Sequence, residues 1–272
     1  MEKLKVLRRK YYIVLSIILG IEFLFMLMVR SMNTMELFPV LMFSIPFTII
    51  ILVLLYNVMV KKPFKEEFIP SVLKEINPNI NYTYHIRGSD YIDFIREYKL
   101  IPSASSFNFT DVIDDYLDDV KYRSMDLHAT HTTSNGKSSH TVTDFKGKFF
   151  IVNLGTNYCD YILKEEKWKR IPDGYSFLDL ESIDFNSKFN LYVTDMHEAH
   201  KIFTPSKILN LLELEKKYDN VMSIIHKDDL LYIFSYDNSD QFEDMSDPKE
   251  TIIRDYKEQQ DFLKSYLNVI NK

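Results

Sequence analysis

Hydrophobic positions are very unevenly spread along this chain. Tyr11 to Val29 (YYIVLSIILGIEFLFMLMV) and Leu37 to Val60 (LFPVLMFSIPFTIIILVLLYNVMV) are apolar on every helical face, with no polar stripe to meet water. At the helical rise they reach roughly 28 Å and 36 Å, against a bilayer hydrocarbon core of about 30 Å. The first predicts a membrane span, and the second a tilted span or one bent at Pro46. Only RSMNTME separates them, so the pair forms an antiparallel hairpin. A secretory leader has a shorter apolar core and a small-residue cleavage site; here a second span follows instead.

Beyond Val60 the pattern turns amphipathic. Apolar positions at helical spacing predict a helix over Phe64–Ile76, with Pro70 as a possible break, and a second over SDYIDFIREYKL, capped by Ser89 and ended by Pro102. NPNINYTYHIRG reads as a turn and a short strand, and SSFNFTDVID as a connector. From Tyr116, alternation predicts two strands or one long bent strand, then a Ser-rich turn. DFKGKFFIVNLGTNYCDYIL follows as strand, broken near Gly155 and Asn157. LKEEKWKRIPDGYS is a charged loop with its turn at Asp173-Gly174. LDLESIDFNSKF predicts a short helix, and NLYVTD a strand. Thr204 as cap, Pro205 at the first helical position and a face of Ile208, Leu211, Leu212 and Leu214 predict a helix over TPSKILNLLELEKKY. VMSIIHKDDLLYIFSY is a hairpin, and a helix with apolar Ile252, Ile253, Tyr256, Phe262, Leu263 and Leu267 closes the chain. Strands clustered apart from helices predict an α+β fold on a mainly antiparallel sheet. The expected organisation is a transmembrane hairpin over 1–62, with spans at 11–29 and 37–60, and an α+β domain over 63–272.

Charge sets the expected orientation. Lys3, Lys5, Arg8, Arg9 and Lys10 precede the first run, and Lys61, Lys62 and Lys65 follow the second. The link holds one Arg30 and one Glu36. Positive flanks stay in the cytoplasm, so both termini are expected there, in the cell membrane, with Tyr11, Tyr12 and Tyr56 near that interface. Residues 1–60 carry six Lys/Arg and three Asp/Glu, and the other 212 carry 27 and 36. A soluble part of net −9 lacks the basic footprint of a nucleic-acid binder. The basic flanks are suited to anionic lipid. The single cysteine, Cys159, excludes an intrachain disulfide and fits a reducing compartment.

Residues that could carry chemistry are few. Glu22 lies mid-span, where an ionised carboxylate is costly. It reads either as a membrane or partner site or as a protonated acid bonded to Ser44 or Thr48. His128 and His131 are three apart on a strand, which sends them to opposite faces. HEAH, with His197 and His200, lacks the four-residue spacing of the zinc-protease helix. No metal or other cofactor is expected. Asp111, Asp114, Asp115, Asp118 and Asp119 read as a solvated face rather than a cation site, for want of a tight glycine turn. Asp195, Glu198 and His200 are the weak candidates for a hydrolytic site, although Asp195 and Glu198 equally suit a helix start. Phosphate-cradling glycine loops and nucleophile elbows are absent from the sequence.

The segments FKGKFF, LDLESIDFNSKFNLYVTD, Glu198-Ala199 and FTPSKILNLLEL resemble the bacterial family of domain of unknown function 3137. The resemblance rests on Phe145, Gly147, Phe149, Phe150, Phe185, Phe189, Asp195, Glu198, Ala199, Thr204 and Pro205. FIREYKLIP and the late hairpin LLYIFSY also resemble it, extending the likeness over most of Phe64 to Phe242. It implies an N-terminal transmembrane pair with a cytoplasmic-type domain, no assigned reaction, and a membrane partner such as a LemA-like protein. The expected function is therefore a membrane-anchored interaction or assembly module. The alternative is a membrane-surface hydrolase.

Overall fold

The computed structural model describes residues 2–29, 34–136, 138–155, 159–165, 171–238 and 240–270. Arg30 of the link, Asn157, part of the charged loop (166–170) and the last two residues lie outside the described residues. The chain divides into two compact units, Met1–Val72 and Leu73–Lys272.

The first unit is helical. Helix α1 (Glu2–Val29) covers the first apolar run, and α2 (Thr34–Tyr56) most of the second. The backbone stays helical through Pro46, then continues through π-helical turns at Asn57–Lys61 and Phe64–Phe68 into α3 (Ile69–Ile76). Pro70 does not break this last helix: it follows directly on the wider π-helical turn, where the Ile69 N–H bonds the Phe64 carbonyl. Two segments, Lys5–Leu27 and Ser44–Ile76, are long and apolar enough to cross a membrane. Their large apolar side chains are turned outward: Ile21, Phe23, Leu24, Phe47 and Leu54 are all more than half exposed.

The second unit is α+β. Its nine-stranded antiparallel sheet has the order β1-β2-β3-β4-β9-β8-β5-β7-β6. The strands are β1 (Asn81–Ile86), β2 (Ser106–Leu117), β3 (Val120–Ser134), β4 (Ser139–Asn153), β5 (Tyr161–Lys164), β6 (Ser176–Leu178), β7 (Asn190–Val193), β8 (Val221–Lys227) and β9 (Leu230–Tyr236). Helix α4 (Ser89–Glu97) lies between β1 and β2 in the chain. α5 (Ile183–Lys188), α6 (Met196–Ile202), α7 (Pro205–Tyr218) and α8 (Pro248–Ile270) come later.

Strand alternation feeds two cores, one on each face of the sheet. Phe150, Leu163, Ile224 and Ile233 join residues of α5 to α8, such as Phe185, Ala199, Leu211 and Leu263. Their neighbours Phe149, Ile162, Ile225 and Phe234 join Ile95 of α4 on the other face. Gly147 is obligatory at one point of β4, because a Cβ there would run into the Ser235 carbonyl of β9.

Three expectations are corrected. SSFNFTDVID is not a connector but most of β2, the strand between β1 and β3. Its Asp111 and Asp115 are buried, so the acidic string is not a solvated face. The charges hid an alternation whose apolar members, Phe109, Val112 and Ile113, are core. Ser89 is not the cap of α4. Gly88 takes that position in the left-handed region (φ 60°), and the Ser89 hydroxyl bonds Asp90 instead. The short edge strand β6 was not anticipated.

Candidate functional site: an acidic cleft

A cleft of about 1230 Å³ lies in the second unit. Its floor is strand β4, where Lys148 and Phe150, two residues apart, share a face. Ser235 of β9 lies beside them. One wall is the end of α7, with Lys217 and Tyr218. The other is the first half of α8, whose Thr251, Asp255, Glu258, Gln259 and Phe262 recur at helical spacing. Asp237, Asp240, Gln241, Glu243 and Asp244 close the end. Seven carboxylates and three cations line the cleft.

Lys148 is directly opposite Asp126 in the β3–β4 register, and the two form an ion pair with both side chains largely buried. Burial pushes the Asp126 carboxyl up to about 6, against the pull of the Lys148 ammonium. The other Asp126 oxygen accepts the Gln241 backbone N–H at 2.8 Å. Gln241 Nε2 donates to Gln259 Oε1 at 2.8 Å, and the Phe242 N–H donates to Asp255 at 3.1 Å. Phe242 is fully buried at φ 57°, edge-on to Tyr82. Asp126, Gln259 and Asp255 therefore fix the turn at Gln241-Phe242 over the sheet, although no helix or strand holds it. Gln259 is 6 % exposed and its Nε2 makes no hydrogen bond. Aromatic rings form the apolar part: Phe150 stacks on Phe262 at 5.3 Å, and Tyr218 meets Phe262 edge-on at 5.0 Å.

Behind the cleft, Asp115 gathers α8 onto β2 and β3. It accepts the Tyr256 hydroxyl, Asn77 Nδ2 at 2.9 Å and Gln260 Nε2 at 3.4 Å. Asp111 accepts the Tyr82 hydroxyl, and burial with this neighbouring carboxylate drives the Tyr82 phenol well above its usual range. Asp114 holds Arg123 through two hydrogen bonds of 2.6 and 2.8 Å. Asp118 and Asp119 form the β2–β3 turn at φ 47° and 68°, a left-handed pair that Asp tolerates.

The candidates read from the sequence lie elsewhere. Asp195 caps α6, accepting the N–H of His197 at 2.8 Å and of Glu198 at 3.0 Å. The Glu198 N–H above all holds its carboxyl below the usual range, although burial opposes this slightly. Glu198 pairs with Lys201, and His200 is exposed. None of the three lines the cleft. Cys159 is buried with its thiol toward the Asp195 carbonyl at 3.2 Å. His131 bonds Asp144 at 2.8 Å, a residue that also accepts from Ser103, and His128 bonds Thr143 at 3.1 Å. Among the described residues no three His, Cys, Asp or Glu are grouped to hold a metal ion. In the first unit, the Thr48 hydroxyl donates to Glu22 Oε1 at 3.0 Å.

The cleft itself was not read from the sequence. Its parts come from β4, α7 and α8, with more than a hundred residues between Lys148 and Phe262, and no local motif signals such a meeting. The run of carboxylates from Asp237 to Asp244 was the nearest visible sign.

Residues 143–272 match the model of a family described as a protein of unknown function (DUF3137). Over these residues, just under half of the chain, it is similar to that family. The matched region starts after FIREYKLIP and extends past Phe242 to the last residue, so it is shifted toward the C-terminus from the likeness read in the sequence. It holds β4 from residue 143, β5 to β9, the α7 wall and all of α8, and so every residue lining the cleft. No curated protein matches. A solved structure that the chain resembles is the crystal structure of the mycobacterial trehalose monomycolate transport factor A, TtfA. The two are 10 % identical, with a TM-score of 0.37, over 74 % of this chain and 97 % of that one.

Proposed function

We propose that this protein is a two-span membrane anchor carrying a cytoplasmic α+β domain, residues 63–272, that works by binding a membrane-protein partner. The observation that carries the reading is the outward display of apolar side chains along α1 and α2, such as Ile21 at 62 % and Phe47 at 64 % exposure. Water would penalise such surfaces, and lipid removes the penalty. The flanking cations support both termini in the cytoplasm. A LemA-like protein is one candidate partner, and the lipid bilayer is the other contact. The engagement of Asp195 in a helix cap and of Glu198 with Lys201 favours a structural role for these groups over hydrolysis.

Three measurements test this. A C-terminal reporter that is active only in the cytoplasm should signal in intact cells, and the full chain should resist alkaline extraction from membranes. Purification of the tagged full chain in mild detergent should return the same membrane protein repeatedly. Release at alkaline pH, or a reporter active only outside, overturns the anchor. Repeated recovery of the chain alone overturns the binding role.

A further inference from the structure

We propose that the acidic cleft is a docking groove for a basic, extended polypeptide segment of the partner; this rests on the reading of the protein as an interaction module. Three features of the cleft converge on that occupant. The first is charge. Of the three lining cations, Lys148 is committed to Asp126, and Arg254 to Asp255 at 3.0 Å. Glu258, 3.9 Å from Arg254 in an exposed pair, and Asp261, three residues on along α8, are exposed along the same rim. Lysine and arginine heads are the complement to such a rim.

The second feature is the Gln259 amide. One end is held by Gln241, and the buried Nε2 is a donor with no acceptor. A buried donor left unmade is costly, and an arriving carbonyl would satisfy it. A metal ion or a polyamine brings no carbonyl, whereas a polypeptide brings one at every residue. The third feature is the pair of aromatic rings on the two walls, Tyr218 edge-on to Phe262, a surface that suits the alkyl stems and cationic heads of long basic side chains. Lys217 already places its Nζ 4.6 Å from the centre of the Tyr218 ring. The volume of about 1230 Å³ also exceeds the range of roughly 300–1,000 Å³ common for small-molecule sites.

The test uses the full chain in a non-ionic detergent and a fluorescent peptide of alternating arginine and alanine, followed by anisotropy. Saturable binding that weakens with salt is expected. Joint Glu258→Lys and Asp261→Lys substitution, on the exposed rim, should weaken it by about tenfold or more. Gln259→Met, close in volume, should weaken peptide binding several-fold and leave spermine binding unchanged, because spermine has no carbonyl. Unchanged peptide affinity in the rim variant overturns the proposal. So does a Gln259→Met variant that affects peptide and spermine alike, which would make the cleft a general polycation site. Copurification separates this from the wider reading. If the rim variant still recovers the wild-type partner, the module stands and the groove falls. If wild type recovers no partner yet binds the peptide as described, the groove stands and the membrane-partner role falls.

Discussion

Lys148 and Asp126 stand opposite each other on adjacent strands and pair at the floor of the cleft, each less than a tenth exposed. Removing one member would leave the other charge buried and uncompensated. Lys148→Met is therefore expected to destabilise the domain by about 3–5 kcal/mol. Adding Asp126→Asn should recover part of that loss, because the stranded charge is gone. Thermal melting of the full chain in detergent, across the four members of this cycle, measures both effects. Equal midpoints in wild type and Lys148→Met would show that the pair carries no stability.

The same pair sets a pH dependence. Burial raises the Asp126 carboxyl from its ordinary 3.8 to about 6. Within that window the folded protein keeps a proton that the unfolded chain has released. Stability from this group accordingly falls as pH rises through the window, and levels off above it. Between pH 4 and pH 7 the Asp126→Asn variant should show a flatter stability profile than wild type. The carboxyl carbon of Asp126 should titrate near 6 by NMR, and higher still in Lys148→Met. A midpoint near 4 in the wild-type protein would contradict the burial argument.

Local signals in the sequence succeeded where one segment holds its own explanation. The two apolar runs, the Thr204-Pro205 start of α7 and the β8–β9 hairpin are of this kind; Thr204 Oγ1 does accept the Lys207 N–H at 3.3 Å. They failed where distant residues decide. Asp111 and Asp115 read as surface because nothing nearby announces Tyr82 or Tyr256, the latter 141 residues away, as their donors. The dipeptide Asp-Asp makes a turn twice, at 118–119 and at 228–229. Only in the second place do hydrophobic strands frame it, which is what makes VMSIIHKDDLLYIFSY legible as a hairpin. In the first, acids run through the strand itself. The cleft is the extreme case, since its charge pattern emerges only when α8 crosses β4.

Gly147 offers a test of the sheet at its centre. The clash between an added Cβ and the Ser235 carbonyl is with backbone, which cannot rotate away. Gly147→Ala should force β4 and β9 apart, in the overpacking range of about 1–3 kcal/mol or beyond. Gly136→Ala is the contrast: its Cβ would meet nothing within 4 Å, and only its φ of 81° opposes the change. Melting midpoints should fall much further for Gly147→Ala. A reversed order would mean that β4 and β9 are not paired as described.

Asp195 separates capping from catalysis. Asparagine caps helices as well as aspartate, whereas alanine does not. Asp195→Asn should melt like wild type, and Asp195→Ala should melt lower. If the residue were an acid or base, both substitutions would abolish function alike. The expected outcome is that Asp195→Asn, alone or with Glu198→Gln and His200→Ala, leaves the cellular phenotype unchanged. Loss of the phenotype in a variant with wild-type stability would restore the hydrolase reading.

Glu22 and Thr48 form a hydrogen bond between α1 and α2 within the apolar segments. Such bonds between membrane helices contribute about 0.6–2 kcal/mol. If holding the hairpin together is all Glu22 does, Thr48→Val should have the same effect as Glu22→Leu. The double variant should then be no worse than either alone, because the bond can be lost only once. All three should still insert, since each replacement is at least as apolar as the residue removed. Hairpin stability is measured by resistance to denaturing detergent, and partner binding by copurification. The expected result is matching loss in the first measurement and little change in the second. If Glu22→Leu abolished partner recovery while Thr48→Val preserved it, the carboxyl would be a contact made to the partner inside the membrane.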